Sequence, residues 1–302
     1  MNPSRLFGGE ADVHRMKAFL SAARADGSQP GYWHVGDLLW RLYQNTIFDP
    51  FASFRLWEGG DGELLGFACF SPPEWVDLQV HPHLRGSGLV EEEMLAWAEE
   101  HRLELPAQDD GTRALRTGGL DMDPHRVAIL ERHGFERTAH HYINLTRDLR
   151  DPVPDEPLPE GIVVRHVAEE IEFEERVSIH REVWHPSKVT LEAYRRMRAA
   201  PGYTPELDLV AVTPKDEFVS YCICWLDPAS QSGEFEPVGT RAAFRRRGAG
   251  RAVMLEGLRR LHARGSETAF VTSEGLNEAA LALYRSVGFR IINRDYDYIK
   301  RL

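Results

Sequence analysis

Cysteine is scarce in this chain: Cys69, Cys222 and Cys224 are the three among 302 residues. So small and odd a number supplies no disulfide framework. Cys222 and Cys224 alternate along an apparent strand, FVSYCICW, with no second Cys or His pair close by in sequence. Packed, reduced thiols are therefore the better reading, and no metal is expected. Long apolar runs are missing too; with none reaching about 18 residues, no membrane-spanning helix is expected. The opening stretch MNPSRLFGGEADVHRMK has no apolar segment behind a basic start, so it does not read as a signal peptide, and the expected location is cytoplasmic. Positive charge is in short supply. Against 47 Asp and Glu stand 36 Lys and Arg, a formal net charge of −11. Phosphate backbones need a basic field, so nucleic acid is not expected as a partner. The acidic balance suits a cationic substrate such as an amine, although solubility alone accounts for it as well.

What the chain does contain is enough apolar residue, 42%, to build real cores. Its length suggests two domains of about 150 residues each. The stretch DPVPDEPLPE at 151–160 holds four prolines and four carboxylates. Proline fixes φ and lacks an N–H, so this stretch joins neither a helix nor a central strand. The expected division is a first domain over 1–150, a linker over 151–160 and a second domain over 161–302. Both halves read in one order: helices, strands, a strand running into a glycine turn and helix, then a short helix ending in Gly-Phe and a final strand. Predicted helices include Ala11–Ala25, Val90–His101, Ile171–Val183 and Leu191–Ala199. Predicted strands include Val76–Val80, Leu207–Val212, Phe218–Leu226 and Glu234–Thr240. The closing pairs, Gly134-Phe135 and Gly288-Phe289, lie 154 residues apart. That interval is an internal repeat with the period of one domain.

The richest chemistry lies in GEFEPVGTRAAFRRRGAGRAVMLEGLRRLHARG. A strand over Glu234–Thr240 is followed by Arg245, Arg246, Arg247, Gly248, Ala249 and Gly250. Met254, Leu255, Leu258 and Leu261 then form one apolar helix face. A glycine turn at a helix start aims unpaired N–H groups at one point, with the positive end of the helix dipole behind them. Gly248 and Gly250 let a phosphate come close, and the arginines add charge-assisted donors. This is neither a Walker loop, since no Gly-Lys-Ser/Thr follows, nor a dinucleotide fingerprint, since the third glycine is missing. A solvated surface, an RNA patch and decoration of a helix start are the plainer readings of the same arginines.

The turn is followed 27 residues after Gly250 by Asn277, Ala280, Tyr284, Gly288 and Phe289, spaced Asn-x-x-Ala-x-x-x-Tyr-x-x-x-Gly-Phe. With Arg245, Gly248 and Gly250 in the earlier loop, the second half resembles the GNAT acetyltransferases, and the first half resembles them more weakly. The layout is similar to tandem GNAT proteins of the mycothiol synthase type. The resemblance implies an α/β (α+β) class: two tandem GNAT folds, each a mixed, mostly antiparallel sheet with splayed parallel central strands flanked by helices. It implies acetyl-CoA as cosubstrate, with the pyrophosphate on the amides of Arg246–Gly250 and on the helix start reaching Arg251. Pantetheine would lie along Val238, Gly239 and Thr240, and Asn277 would touch it or hold the turn. The implied reaction passes acetyl to a primary amine of a small molecule or peptide by direct attack, in a monomer or homodimer. The ammonium, with a pKa of about 10.4, must first lose a proton, which a carboxylate can accept. Glu234 and Glu236 are the candidates on that strand. In relatives using such a glutamate it stands fourteen residues before the first loop glycine, which points to Glu234. Tyr284 would protonate the departing thiolate, and Ala280, one turn away, would leave the thioester room.

The first half departs from this pattern. It keeps Arg85-Gly86-Ser87-Gly88, but His83 replaces the motif arginine and Leu130 stands where Tyr284 stands in the second half. Leucine donates no proton, so this half is expected to be degenerate, with at most weak hold on CoA at Arg85–Gly88. The aromatic-rich segment at 31–48 reads by default as core packing, and otherwise as a wall of the acceptor pocket or a domain interface, and Trp184, His185 and Tyr194 are candidate acceptor-site residues by position. His81, His83, His140 and His141 lack zinc-type spacing. The alternative to an enzyme is an inactive acyl-CoA-binding sensor or scaffold; intact Arg245, Gly248, Gly250 and Tyr284 favour the enzyme.

Overall fold

The computed structural model describes residues 3–27, 31–44, 46–108 and 111–302. The chain opens with β1 (Ser4–Leu6), α1 (Glu10–Asp26), α2 (Val35–Gln44) and α3 (Pro50–Ser53). Strands β2 (Phe54–Glu58), β3 (Leu64–Ser71) and β4 (Trp75–Val80) lead to α4 (Leu89–Glu104) and β5 (Ala114–Leu120). Next come α5 (Pro124–Arg132), β6 (Glu136–Asp148), β7 (Val163–His166), α6 (Phe173–Val183) and α7 (Leu191–Arg198). The last third holds β8 (Asp208–Val212), β9 (Phe218–Asp227), β10 (Ser232–Thr240), α8 (Ala249–Ala263), β11 (Thr268–Glu274), α9 (Glu278–Ser286) and β12 (Arg290–Arg301).

Local chemistry explains the helix starts. Asp123 accepts a bond from the Arg126 N–H ahead of α5, with Pro124 in the first turn. Thr190 does the same for Ala193 ahead of α7, and Asn277 for Ala280 ahead of α9. Two helices, α4 and α8, begin instead at left-handed glycines, Gly88 at φ 72° and Gly248 at φ 85°. Those are the two glycine turns of the repeat.

Two compact units result. The first comprises Met1–Trp33, Ile47–Ile143 and Asn293–Leu302; the second comprises His34–Thr46 and Asn144–Ile292. In the first, strands are ordered β1-β2-β3-β4-β5-β12, antiparallel except where β4 meets β5. Its core gathers Trp57, Phe70, Met94, Leu115, Leu130 and Tyr298. In the second, the order from the end of β6 is β6-β11-β10-β9-β8-β7. Strands β7 to β10 are antiparallel there, and β10 runs parallel to β11. Nearly every residue of β9 is buried, as expected of a strand covered on both faces. Met254, Leu258 and Leu261 of α8 are fully buried, so the predicted apolar face is the packed one.

The units do not divide at 151–160, as the proline content suggested. The chain passes between them inside β6 and again inside β12, and residues 34–46 belong with the second unit. Prolines keep 151–160 out of regular structure, but its carbonyls still accept hydrogen bonds. Arg147 donates to Pro152 O at 2.9 Å and Arg259 to Pro154 O at 2.7 Å. The segment is held against the second unit rather than strung as a free linker.

Candidate active site

Strands β10 and β11 pair over Ser232–Thr268, Gly233–Ala269 and Glu234–Phe270, and then separate. On its other edge β10 keeps its pairing to β9, with a register shift between Phe235 and Val238. Trp225 donates its indole N–H to Glu236 O at 2.8 Å across that irregularity. Val238, Gly239 and Thr240 stay paired to Cys222, Tyr221 and Ser220. Their other edge borders the gap left by β11, where an extended ligand can add as a strand.

Beyond β10 the chain turns through Arg246, at φ 60°, and Gly248, at φ 85°. A non-glycine residue with positive φ stores strain, of the kind found at ligand clamps. The first helical bond of α8 runs from Ala252 N to Gly248 O at 2.9 Å. The amides of Ala249, Gly250 and Arg251 therefore precede the bonded turns and point out of the helix start. A Cβ on Gly250 would lie 2.8 Å from Thr240 Oγ1, so glycine is what lets α8 meet the end of β10. Arg245, Arg246 and Arg247 are exposed around this turn. Arg245 Nε reaches Thr240 O at 3.3 Å, and the Arg247 guanidinium sits 5.5 Å over the Phe244 ring. Arg251, in contrast, is taken by the Glu156 carboxylate and by Ser286 O at 3.2 Å. Only its backbone faces the turn's purpose.

Asn277 holds the start of α9, its side-chain oxygen accepting from Ala280 N at 3.1 Å. Half-buried Ala280 lies one turn before Tyr284, which is 6% exposed. Burial, then the charges of Glu236 and Cys222, push the Tyr284 phenol above its ordinary range. It is neutral at physiological pH and able to donate a proton. Glu236 is half-buried. Burial, then the charges of Asp37 and Glu234, push its carboxyl up to about 8 against a partial pull from Arg41.

Glu234 is buried against the start of α2. A Cβ on Gly36 would stand 2.5 Å from Glu234 Oε2 and 2.5 Å from Trp225 Cγ, so only glycine fits there. His34 Nδ1 lies 3.4 Å from the same oxygen and accepts from Gly36 N at 3.1 Å. His34 Nδ1 thus faces both the Gly36 N–H and the Glu234 carboxyl from one lone-pair-bearing nitrogen. His34, just before α2, and Gly36, Asp37 and Arg41 within it were not singled out from sequence. The aromatic density of 31–48 was the available signal, and Trp40 does pack 5.7 Å from the His180 ring.

Two of the position-based candidates behave differently from the third. Trp184 and His185 are exposed. Tyr194 is buried and donates to Asp208 Oδ2 at 2.6 Å, so it braces the scaffold and lines no open site. Cys222 and Cys224 are fully buried with sulfurs 3.8 Å apart. In the first unit, Leu130 is fully buried in the core, while His140 pairs with Asp297 at 3.2 Å.

The model of the acetyltransferase (GNAT) family matches residues 171–289. Over 282 residues the chain is 30% identical to a mycothiol acetyltransferase of Thermobispora bispora, covering 89% of each. It is 28% identical to that of Segniliparus rotundus over 80% of this chain and 92% of the relative. A GCN5-related N-acetyltransferase from Sphaerobacter thermophilus shares the fold, with TM-score 0.68, 22% identity, and 99% and 95% coverage. So does a tandem GNAT protein from the clavulanic acid biosynthesis pathway, with TM-score 0.68, 16% identity, and 100% and 98% coverage.

Proposed function

The chain belongs to the GNAT acetyltransferase family and is an acetyl-CoA-dependent N-acetyltransferase, and from this we infer how its second unit carries out the transfer. The diphosphate of acetyl-CoA rests on the amides from Arg246 to Arg251, where the dipole of α8 and the exposed guanidiniums of Arg245, Arg246 and Arg247 offset its charge. The pantetheine arm lies in the gap beside Val238, Gly239 and Thr240. Its thioester then comes to the neighbourhood of Glu236 and Tyr284.

The acceptor arrives as an ammonium. Glu236, titrating at about 8, takes its proton; a base near the working pH is the effective one. The free amine attacks the thioester carbonyl, the C–S bond breaks, and Tyr284 hands its proton to the leaving thiolate. A thiolate whose acid has a pKa of about 8.5 needs only a neutral phenol for this. The nitrogen, once bonded to the carbonyl carbon, sheds its second proton to Glu234, the first candidate by spacing, and solvent returns a proton to the Tyr284 phenolate. Transfer is direct: Cys222 and Cys224 beside the site are fully buried, and burial raises the Cys224 thiol, so neither sulfur is offered to the acyl group. The acceptor is a small-molecule amine, and with relatives named mycothiol acetyltransferase, a mycothiol-type acceptor is the first to try.

One arrangement carries this reading: beside the strands that part after Glu234, the Glu236 carboxyl stands near enough to the buried Tyr284 phenol for its charge to raise it. Tyr284→Phe should lower kcat by about 100-fold or more while acetyl-CoA affinity stays within about twofold. Turnover equal to the wild type would remove Tyr284 from the mechanism.

A further inference from the structure

The first unit repeats the parted strands and the glycine turn, and fills both from within. β4 and β5 meet at Trp75–Arg116 and then separate. Arg116 N donates to Glu74 O at 2.6 Å. Carbonyls alternate between the two edges of a strand, so Leu78 O and Val80 O face the same gap. An extended ligand adding as a strand would need them. Both are taken: Arg126 Nη2 reaches Leu78 O at 3.4 Å, and Tyr32 donates its hydroxyl to Val80 O at 2.7 Å. The stretch that carries Tyr32 reaches both walls. Trp33 N donates to Gln79 Oε1 of β4 at 3.2 Å, and a Cβ on Gly31 would lie 2.6 Å from Leu120 Cδ1 at the end of β5. The cavity left there is about 60 Å³, room for a few water molecules, whereas a drug-sized ligand needs about 300 Å³ or more.

The turn before α4 is taken in the same way. Gly88 opens α4 as Gly248 opens α8, both at positive φ. Three residues on, Glu91 stands in place of Arg251, with Glu92 after it, so α4 has acidic side chains in its first turn where α8 has none. Those side chains already answer the positive end of the α4 dipole, and a diphosphate arriving there would meet charge of its own sign. Arg85, the arginine of this turn, is buried in an ion pair with Asp123, its guanidinium 5.1 Å from the centre of the Tyr32 ring. Lending it to a phosphate would strand the buried Asp123 carboxylate, which also caps α5.

We propose that Gly31–Trp33, with the Tyr32 phenol and the Arg126 guanidinium, is a built-in occupant of this gap, which stands where a pantetheine arm would lie and closes the first unit to acetyl-CoA. The chain then takes up one coenzyme, at the turn before α8; that last point rests on the second-unit site proposed for the diphosphate. The first unit keeps the layout of a coenzyme site, with its own residues as the ligand.

Equilibrium dialysis of the full chain against acetyl-CoA, read together with backbone hydrogen exchange, tests this. One equivalent is expected at saturation, slowing exchange over Arg246–Arg251 by about tenfold or more, while Leu78–Leu89 exchange as in the free chain. Two equivalents, or exchange slowed over Leu78–Leu89, would overturn the proposal and leave the second-unit site standing. Exchange slowed at neither turn would sink the reading of the second unit's turn, and this inference with it. Tyr32→Phe keeps the ring but removes its bond to Val80 O, and should lower Tm by about 2 °C or more. An unchanged Tm would show that the phenol does not hold the gap, and would overturn its part as occupant.

Discussion

In the proposed mechanism, the ionisation of Glu236 sets when the site works. Its raised pKa comes from burial first, then from Asp37 and Glu234, with Arg41 pulling the other way. As a base it is useful only when ionised, so kcat/KM should climb as pH rises through about 8, and Glu236→Gln should flatten that limb of the profile. If Glu234→Gln alone moves the limb, the assignment of the two carboxylates is reversed. The same shift has a consequence for stability. In the unfolded chain the carboxyl titrates at its ordinary value of 4.5, whereas in the folded chain it titrates at about 8. The folded state therefore holds its proton more tightly, and this contribution is complete below 4.5 and lost as pH climbs through about 8. Glu236→Gln should raise the melting temperature most in alkaline buffer and little in acid. A melting difference that does not depend on pH would contradict a proton-retaining Glu236.

Helices α6 and α7 are pinned to β8 by one buried carboxylate. Asp208 accepts from Arg176 Nε at 3.0 Å, Tyr194 at 2.6 Å and Tyr203 at 2.9 Å, and is fully buried. The Arg176 guanidinium also lies 3.8 Å from the centre of the Tyr221 ring. Breaking such a pair strands a buried charge, so Asp208→Asn should cost about 3–5 kcal/mol in urea unfolding. A loss under about 1 kcal/mol would show that the network is dispensable. This network also marks the limit of what the sequence discloses. The helices themselves were legible, because capping residues such as Thr190 and the 3.6-residue spacing of apolar side chains are local signals. So was the glycine turn, since positive φ at Gly248 and close packing at Gly250 are demands that glycine alone meets. Tyr194 was misjudged because its partner stands fourteen residues on, across a turn. Periodicity tells which face of a helix is buried, not which side chain lies opposite.

The repeat at 154 residues was visible, yet the cut between its copies was not, because the chain passes between the compact units more than once. The proline-rich stretch drew attention to 151–160, while the segment that matters for the site is 34–46. His34, Gly36, Asp37 and Arg41 meet Glu234 and Glu236 across some 200 positions of sequence, a separation no local pattern encodes. A fragment spanning 151–302 keeps every motif residue of the acetyl-CoA loop, Asn277 and Tyr284. It loses α2, and with it the charges that tune Glu236. It also loses the end of β6, where Thr146 bonds Ala269 O at 3.2 Å and Thr272 bonds Asn144 at 2.8 Å, leaving the β11 edge bare. Residues 295–301 of β12 lose the β5 partner they pair with. The fragment should therefore be poorly soluble and show no cooperative melting and no acetyl transfer, whereas co-expression with residues 1–150 should recover both. Turnover by 151–302 alone at the full chain's rate would mean that α2 is an ornament of the site, and that the sequence motifs contain all the chemistry.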